Sequence, residues 1–236
     1  IRAVEEGRNI FANIKKSILF LLSCNIGEIA ALFFAILLGW AAPLEPIHIL
    51  WVNLVTDTLP ALSLGMDPGD PEVMSYKPRR AKDSIFKGTM GFMIFNGILI
   101  GALTLIAFYI GAVEENGIRG FAALHPDNLK GDALVHAQTM AFIVLSASQL
   151  IHALNLRNVN KSIFSVGLFT NKYLIGAIVV GILLQDIVIT VPFLANVFNV
   201  WDLALNDWLI VSALAIVPLI VNEIIKLFKR GKAKEV

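Results

Sequence analysis

Six long apolar segments separate the polar parts of this chain, and they restrict the fold more than any other feature. They lie at about 18–41, 46–64, 89–112, 138–156, 173–192 and 207–227. About 20 consecutive apolar residues are what an α-helix needs to cross the hydrocarbon core of a bilayer. Only 16% of the 236 residues are charged, whereas about a quarter are charged in a soluble domain. The sequence therefore predicts an all-α, polytopic membrane bundle of six transmembrane helices.

The positive charges predict the orientation of these helices. All but two of the 19 lysines and arginines fall on the side of the bundle that carries both termini, and the exceptions are Arg119 and Lys130. Connections on the cytoplasmic side of a membrane carry an excess of Lys and Arg. Both termini are therefore predicted to be cytosolic, and the count supports six spans because an error of one helix would destroy the asymmetry.

The first 17 residues are polar, with Ile10, Phe11 and Ile14 at helical spacing. Since they run directly into the first apolar segment, we expect a helical stalk that extends the first transmembrane helix into the cytosol. A separate interfacial helix with its lysines at the lipid surface is the alternative. No signal peptide is apparent, the single Cys24 excludes an internal disulfide, and no basic cluster with interleaved aromatic residues suggests nucleic-acid binding.

The second apolar segment contains the polar sequence LWVNLVTD. Asn53, Thr56 and Asp57 stand at i, i+3 and i+4 and so share one helix face. A charge at the centre of a bilayer costs about 2.5–3.5 kcal/mol, and ionisable residues there are usually functional. Pro60 has no N–H to give to the carbonyl of Thr56, which predicts an interrupted helix and a carbonyl available to a ligand.

The first apolar segment contributes Asn25 and Glu28, again on one face. Because the first two segments are joined by only four residues, we expect them to be antiparallel neighbours, and both polar faces then meet near the midplane. Carboxylate and amide oxygens in this number suit Ca²⁺, which takes six to eight oxygen ligands. The sequence has no cluster of histidines or cysteines at this depth, which argues against a zinc or copper site. The alternative is that these residues only bond helices together.

Further polar residues lie in the last three segments. Gln149 is a candidate ligand, with an ordinary interhelical hydrogen bond as the alternative. Asp186 in the fifth segment, next to Gln185, is interpreted as a buried carboxylate without a partner, either in a proton path or facing a water-filled seam. Structural roles are expected for the other polar residues and the proline, which are His152, Asn155, Pro218, Asn222 and Glu223.

Three sequences, NIGE, LWVNLVTDTLPALSLG and NKYLIGA, resemble the C-terminal membrane half of type II P-type ATPases, from the fifth to the tenth membrane helix. The match covers residues 1–236 as one membrane domain and is closest to the bacterial calcium-transporting group. By this resemblance, Asn25, Glu28, Thr56 and Asp57 belong to one calcium site. Asn53 and Asp57 belong to a second site.

The same resemblance implies the ion and the missing parts. Sodium/potassium and proton/potassium pumps usually carry aspartate where this chain has Asn53, which favours calcium. Gln149 stands where the two-site sarcoplasmic-type pump has glutamate, so one negative charge is lost. The DKTGT, TGE and DGxxD motifs are absent, so this chain alone is not expected to hydrolyse ATP. ATP, Mg²⁺ and the family's fourth helix are expected in an N-terminal part of a plasma-membrane pump.

Two other functions remain as alternatives. A stand-alone secondary cation transporter or channel would carry an inverted or parallel repeat or a pore motif, and we find neither in the sequence. A non-transporting membrane scaffold would leave the converging acids unexplained. The sequence therefore favours the ion-binding membrane half of an ATP-driven Ca²⁺ export pump.

Overall fold

The computed structural model of this protein describes residues 1–76 and 84–233, with side chains to Phe228. The described residues form helices and connections without a strand, and six helices are long and apolar enough to cross a membrane. The predicted six-helix fold is confirmed. The helices are α1 (Arg2–Leu37), α2 (Pro46–Trp51), α3 (Thr58–Gly65), α4 (Met90–Asn116), α5 (Asp132–Leu156), α6 (Ile163–Val166), α7 (Lys172–Thr190), α8 (Pro192–Phe198) and α9 (Leu205–Ala233).

Several helix ends differ from the predicted boundaries. The stalk and the first span are one helix of 36 residues, but it ends at Leu37 because the chain turns at Gly39, whose φ is 68°. Helix α5 begins at Asp132 rather than at 138. Its first turns carry His136, which looks like a loop residue in the sequence but is buried by neighbouring helices.

Part of the charge that predicted the orientation lies outside the described residues. These positions are Lys77, Arg79, Arg80, Lys82 and Lys234. The remaining basic residues follow the alternation of the helices, so Arg119 and Lys130 lie at the end of the bundle opposite the termini.

Helix α5 is the centre of the bundle and packs against α1, α4, α7 and α9. Its side chains join two apolar clusters, one around Phe108 and Phe142 and the other around Phe20 and Leu150. The second cluster includes Cys24 and Leu64, so it surrounds the polar faces of the first two spans. Burial of these apolar side chains fixes the depth at which those faces meet.

Helices α1 and α4 approach each other closely through glycines. A Cβ atom on Gly101 would lie 2.8 Å from the carbonyl oxygen of Gly27, and one on Gly97 would lie 2.5 Å from Cγ2 of Ile26. Small residues at a helix interface allow such close backbone contact in membranes. The contact lies one residue before Glu28, so it sets the position of that carboxylate.

Substituting Gly101 with alanine is expected to destabilise the protein by about 1–3 kcal/mol, because the backbone of α1 must move to admit the methyl group. The measurement is thermal unfolding in detergent. Gly91→Ala is the matched control, since a Cβ there meets nothing within 4 Å. Equal shifts for the two variants would contradict the close contact.

A buried ion-pair network ties α1 to the connections on the terminus side of the bundle. The Asp67 carboxylate accepts from Lys16 Nζ at 2.6 Å, Arg157 Nε at 2.9 Å and Asn171 Nδ2 at 3.0 Å. Asn13 Nδ2 also donates to the Asp67 carbonyl at 2.7 Å. The Asp67 network, which consists of these five residues, therefore joins the stalk to the segments that follow α3 and α5.

A second polar contact lies where α9 carries Pro218. Asn222 and Asn96 exchange hydrogen bonds between their side-chain amides, and the Pro218 carbonyl accepts from both Asn222 and Asn155. On α5, Asn155 also contacts His152. These amides hold α4, α5 and α9 together around the proline, which is the structural role expected from the sequence.

Candidate cation-binding site

The second membrane span is broken into α2 and α3 by a π-helical turn at Val52–Thr56. The Asp57 N–H donates to the Val52 carbonyl, five residues back, at 2.9 Å. Pro60 lies in the first turn of α3, where an N–H has no helical partner in any case. The break is therefore earlier than Pro60 and coincides with Asn53 and Thr56, as π-turns often coincide with functional residues.

Amides from two other helical segments hold the buried carboxylate of Glu28. Asn53 Nδ2 donates to Glu28 Oε2 at 2.9 Å, and Gln149 Nε2 is 3.3 Å from Glu28 Oε1. Glu28 is only 4% exposed. The first span, the π-turn and α5 therefore meet at this one carboxylate.

Asp57 lies beside this carboxylate and is 1% exposed. Neither of its carboxylate oxygens has a hydrogen-bond partner of standard geometry. The buried Cys24 thiol is close enough to interact as a weak donor, and Asp57 also interacts electrostatically with Glu28. Two carboxyl groups thus share one buried region, and among the described ion pairs neither meets a basic side chain.

Another unpartnered oxygen belongs to the same region. Gln149 Oε1 is buried and has no hydrogen-bond partner, and the Nε2 of this side chain is 3.3 Å from Glu28 Oε1. A buried polar atom without a partner costs about 1–3 kcal/mol, and a bound cation would supply the missing interaction. The donor set contains carboxylate, amide and hydroxyl oxygens, which are the ligands of hard cations such as Ca²⁺.

Three of the six predicted ligands donate to carbonyls of their own helical segment: Asn53, which also donates to Glu28, and Asn25 and Thr56, whose bonds are only of this kind. Asn25 is partly exposed, and its Nδ2 donates to the Leu21 carbonyl at 2.9 Å. The Thr56 hydroxyl donates to the Val52 carbonyl at 2.9 Å. Their remaining oxygen lone pairs are not used by these bonds. The structure thus joins Glu28, Asn53, Gln149 and Asp57, and places Asn25 and Thr56 on the adjoining turns.

Sequence reasoning assigned no role to Cys24, although it stands four residues before Glu28 and therefore on the same helix face. It also missed the partners of Gln185, whose Oε1 accepts from Trp51 Nε1 at 3.1 Å and from Ser146 Oγ at 3.0 Å. These bonds connect α7 to the segment directly before the π-turn.

The interpretation of Asp186 as a buried acid is wrong. Asp186 is exposed on α7, whereas its neighbour Gln185 is buried. Consecutive helical residues point about 100° apart, so burying the amide turns the acid outward. It lines a groove of about 380 Å³ between α5, α7 and α9, away from Glu28 and Asp57.

Comparisons with known proteins identify the family of this chain. Residues 41–228 match the family described as "Cation transporting ATPase, C-terminus". The chain is 63% identical over 231 residues to Calcium-transporting ATPase 1 of Bacillus cereus, covering 98% of this chain and 26% of that protein. It is 43% identical over 217 residues to the Calcium-transporting ATPase of Bacillus subtilis, covering 92% and 23%.

A relative from a plant is also similar. Identity to the endoplasmic reticulum-type Calcium-transporting ATPase 3 of Arabidopsis thaliana is 32% over 244 residues, covering 98% of this chain and 24% of that protein. The chain thus spans about a quarter of the length of these relatives. With six helices that can cross a membrane and a family match over most of its length, this multi-pass membrane chain belongs to the cation-transporting ATPases and corresponds to their C-terminal membrane region.

Proposed function

We propose that this chain is the ion-binding membrane half of an ATP-driven Ca²⁺ export pump. The observation that supports it is the cluster of the buried Glu28, Gln149 and Asp57 with the half-buried Asn53, in which Asp57 has no hydrogen-bond partner of standard geometry. Three of the relatives are named calcium-transporting ATPases. Two carboxylates without a basic partner match the charge of one divalent cation.

The hydrogen bonds suggest how the residues exchange roles during transport. The Asn53 and Gln149 amides donate N–H groups to Glu28. An amide also carries an oxygen that can ligate a cation. Rotation of these side chains would replace the two N–H donors by oxygen ligands and release Glu28 to the ion. The site then alternates between a hydrogen-bonded form and an ion-bound form with the same residues.

The same proposal gives roles to the remaining predicted ligands and to the missing parts. Asn25 and Thr56 complete the oxygen shell from the adjoining turns. ATP and Mg²⁺ act in cytosolic domains of an N-terminal part. The protein lies in the plasma membrane, and both termini of this chain face the cytosol. Helix α1 runs without a break from Arg2 past Glu28, so it is the element that carries motion from those domains to the site.

Inside-out membrane vesicles that contain the full-length protein test this proposal. ATP should drive uptake of Ca²⁺, with less uptake of Mn²⁺ and none of Na⁺, because the site has two charges and a hard oxygen set. Uptake that needs an ion gradient and no ATP would instead indicate a secondary transporter. Absence of any cation uptake would favour the scaffold alternative.

The Gln149→Glu variant should make the calcium-free protein less stable and increase the stabilisation that Ca²⁺ provides. Its carboxylate would replace an N–H that lies 3.3 Å from Glu28 Oε1, so two like charges would meet unless a cation lies between them. The measurement is the melting temperature in detergent with and without Ca²⁺. Gln149→Met is the control, since it removes the amide without adding charge. An unchanged calcium response in Gln149→Glu would show that Gln149 lies outside the ion site.

A further inference from the structure

Three side chains that the proposed transport site does not use meet at the end of the bundle opposite the termini. Glu114 lies near the end of α4, His136 in the second turn of α5 and Asp207 in the first turn of α9. One ligand atom from each lies within 4.8 Å of the other two. The separate helices are brought together here because a Cβ on Gly111 would lie only 2.9 Å from Cα of Ala137.

The hydrogen bonds of His136 define which nitrogen is available. His136 is 3% exposed, and its Nδ1 is 3.2 Å from the Gly111 carbonyl oxygen. A carbonyl can only accept, so Nδ1 carries a proton. The other nitrogen, Nε2, is 3.2 Å from Asp207 Oδ2. An ionised carboxylate also only accepts, so this contact requires a proton, held by either of the two atoms, or a metal ion between them.

The two carboxyl groups meet the same requirement. Asp207 Oδ2 accepts from the Ala204 N–H at 3.0 Å, which fixes this side chain at the start of α9. Glu114 lies within hydrogen-bonding range of Asp207 and interacts with His136. Because Glu114 is exposed whereas His136 and Asp207 are buried, the cluster is open to the medium on the Glu114 side.

We infer that Glu114, His136 and Asp207 bind a divalent transition metal of the Zn²⁺ class. Imidazole nitrogen and carboxylate oxygen are both ligands that Zn²⁺ accepts, and three protein ligands with an open position for water is the number found in open zinc sites. A ligating histidine usually donates its other N–H to a carbonyl or carboxylate, as His136 does to Gly111. The nitrogen ligand separates this site from the all-oxygen site around Glu28, so its ion is not the transported one.

Zinc binding by the full-length protein, purified in detergent, tests this inference. Equilibrium dialysis with Zn²⁺ gives the affinity, and Co²⁺ gives visible absorption bands that report nitrogen and oxygen coordination. Glu114→Gln should weaken Zn²⁺ binding at least about tenfold, the lower range for disturbing a metal site. His136→Asn, whose amide can still donate to Gly111, should abolish the cobalt bands.

Two controls separate this site from general effects. Glu115→Gln changes an exposed neighbour outside the cluster and should leave Zn²⁺ affinity unchanged. Asp57→Asn, which disables the proposed calcium site, should also leave it unchanged, so the two proposals fail independently. If wild type binds no Zn²⁺, or if Glu114→Gln binds it as wild type does, the metal site is overturned and His136 and Asp207 form an ion pair only.

Discussion

Replacing Asp57 with asparagine is expected to abolish calcium transport and to raise the thermal stability of the calcium-free protein. The carboxylate is 1% exposed and has two unpartnered oxygens, which cost about 1–3 kcal/mol in the absence of an ion. Removing one partner of a buried charge pair costs about 3–5 kcal/mol. Calcium affinity should therefore fall at least about a hundredfold.

Two measurements check this result, calcium binding by the full-length protein and melting temperature without calcium. Asp186→Asn is the matched control because that acid lies on the neighbouring helix α7 but is exposed. The control should change neither quantity. Calcium affinity equal to wild type in Asp57→Asn would remove Asp57 from the ion site, and a lower stability of the calcium-free variant would show that the weak Cys24 donor is enough to satisfy the carboxylate.

The Asp67→Asn variant is expected to lose about 3–5 kcal/mol of stability, the range for breaking a buried ion pair on one side. Asp67 accepts from both Lys16 and Arg157, and the side chains of Asp67 and Arg157 are 3% and 2% exposed. Asparagine would keep the size of the side chain but leave the Arg157 guanidinium buried without its counter-ion.

Thermal unfolding in detergent measures this loss, and Glu72→Gln is the control. Glu72 pairs with Lys161 at 2.9 Å on the same side of the protein, but both side chains are largely exposed. Exposed pairs contribute little, so the control should show no measurable shift. A similar melting temperature for both variants would mean that the Asp67 network contributes no more than a surface pair. Arg157→Met combined with Asp67→Asn should recover part of the loss, because neither charge is then left alone.

The sequence predicted most of the fold because apolar length alone specifies a membrane helix. It also predicted a common depth for Asn25, Glu28, Asn53 and Asp57, since helical spacing and a four-residue connection determine how the first two spans align. The π-turn was not predictable in this way. It changes one backbone hydrogen bond, from the fourth to the fifth residue, and leaves the apolar pattern of the second span almost unaltered.

The remaining differences concern partners that are far away in sequence. Asp186 is exposed because Gln185 is held by Trp51 and Ser146, and hydropathy does not tell which face of an apolar helix a single acid takes. Asp67 looks like an ordinary turn residue in GMDPGDP, yet Arg157 lies 90 positions away. His136 looks like part of a polar loop until Gly111 and Asp207 enclose it.

The glycine contact of α1 with α4 has a mechanical consequence. Helix α1 is about 54 Å long, at about 1.5 Å per residue, and it would pivot at the contact of Gly27 with α4, which lies next to Glu28. Tilting α1 by about 10° about this contact would displace Arg2 by about 6 Å but Glu28 by well under about 1 Å. A tilt imposed at the N-terminal end therefore leaves this carboxylate nearly stationary. If the proposed transport takes place, ion release requires axial rotation of α1 or movement of the π-turn away from it.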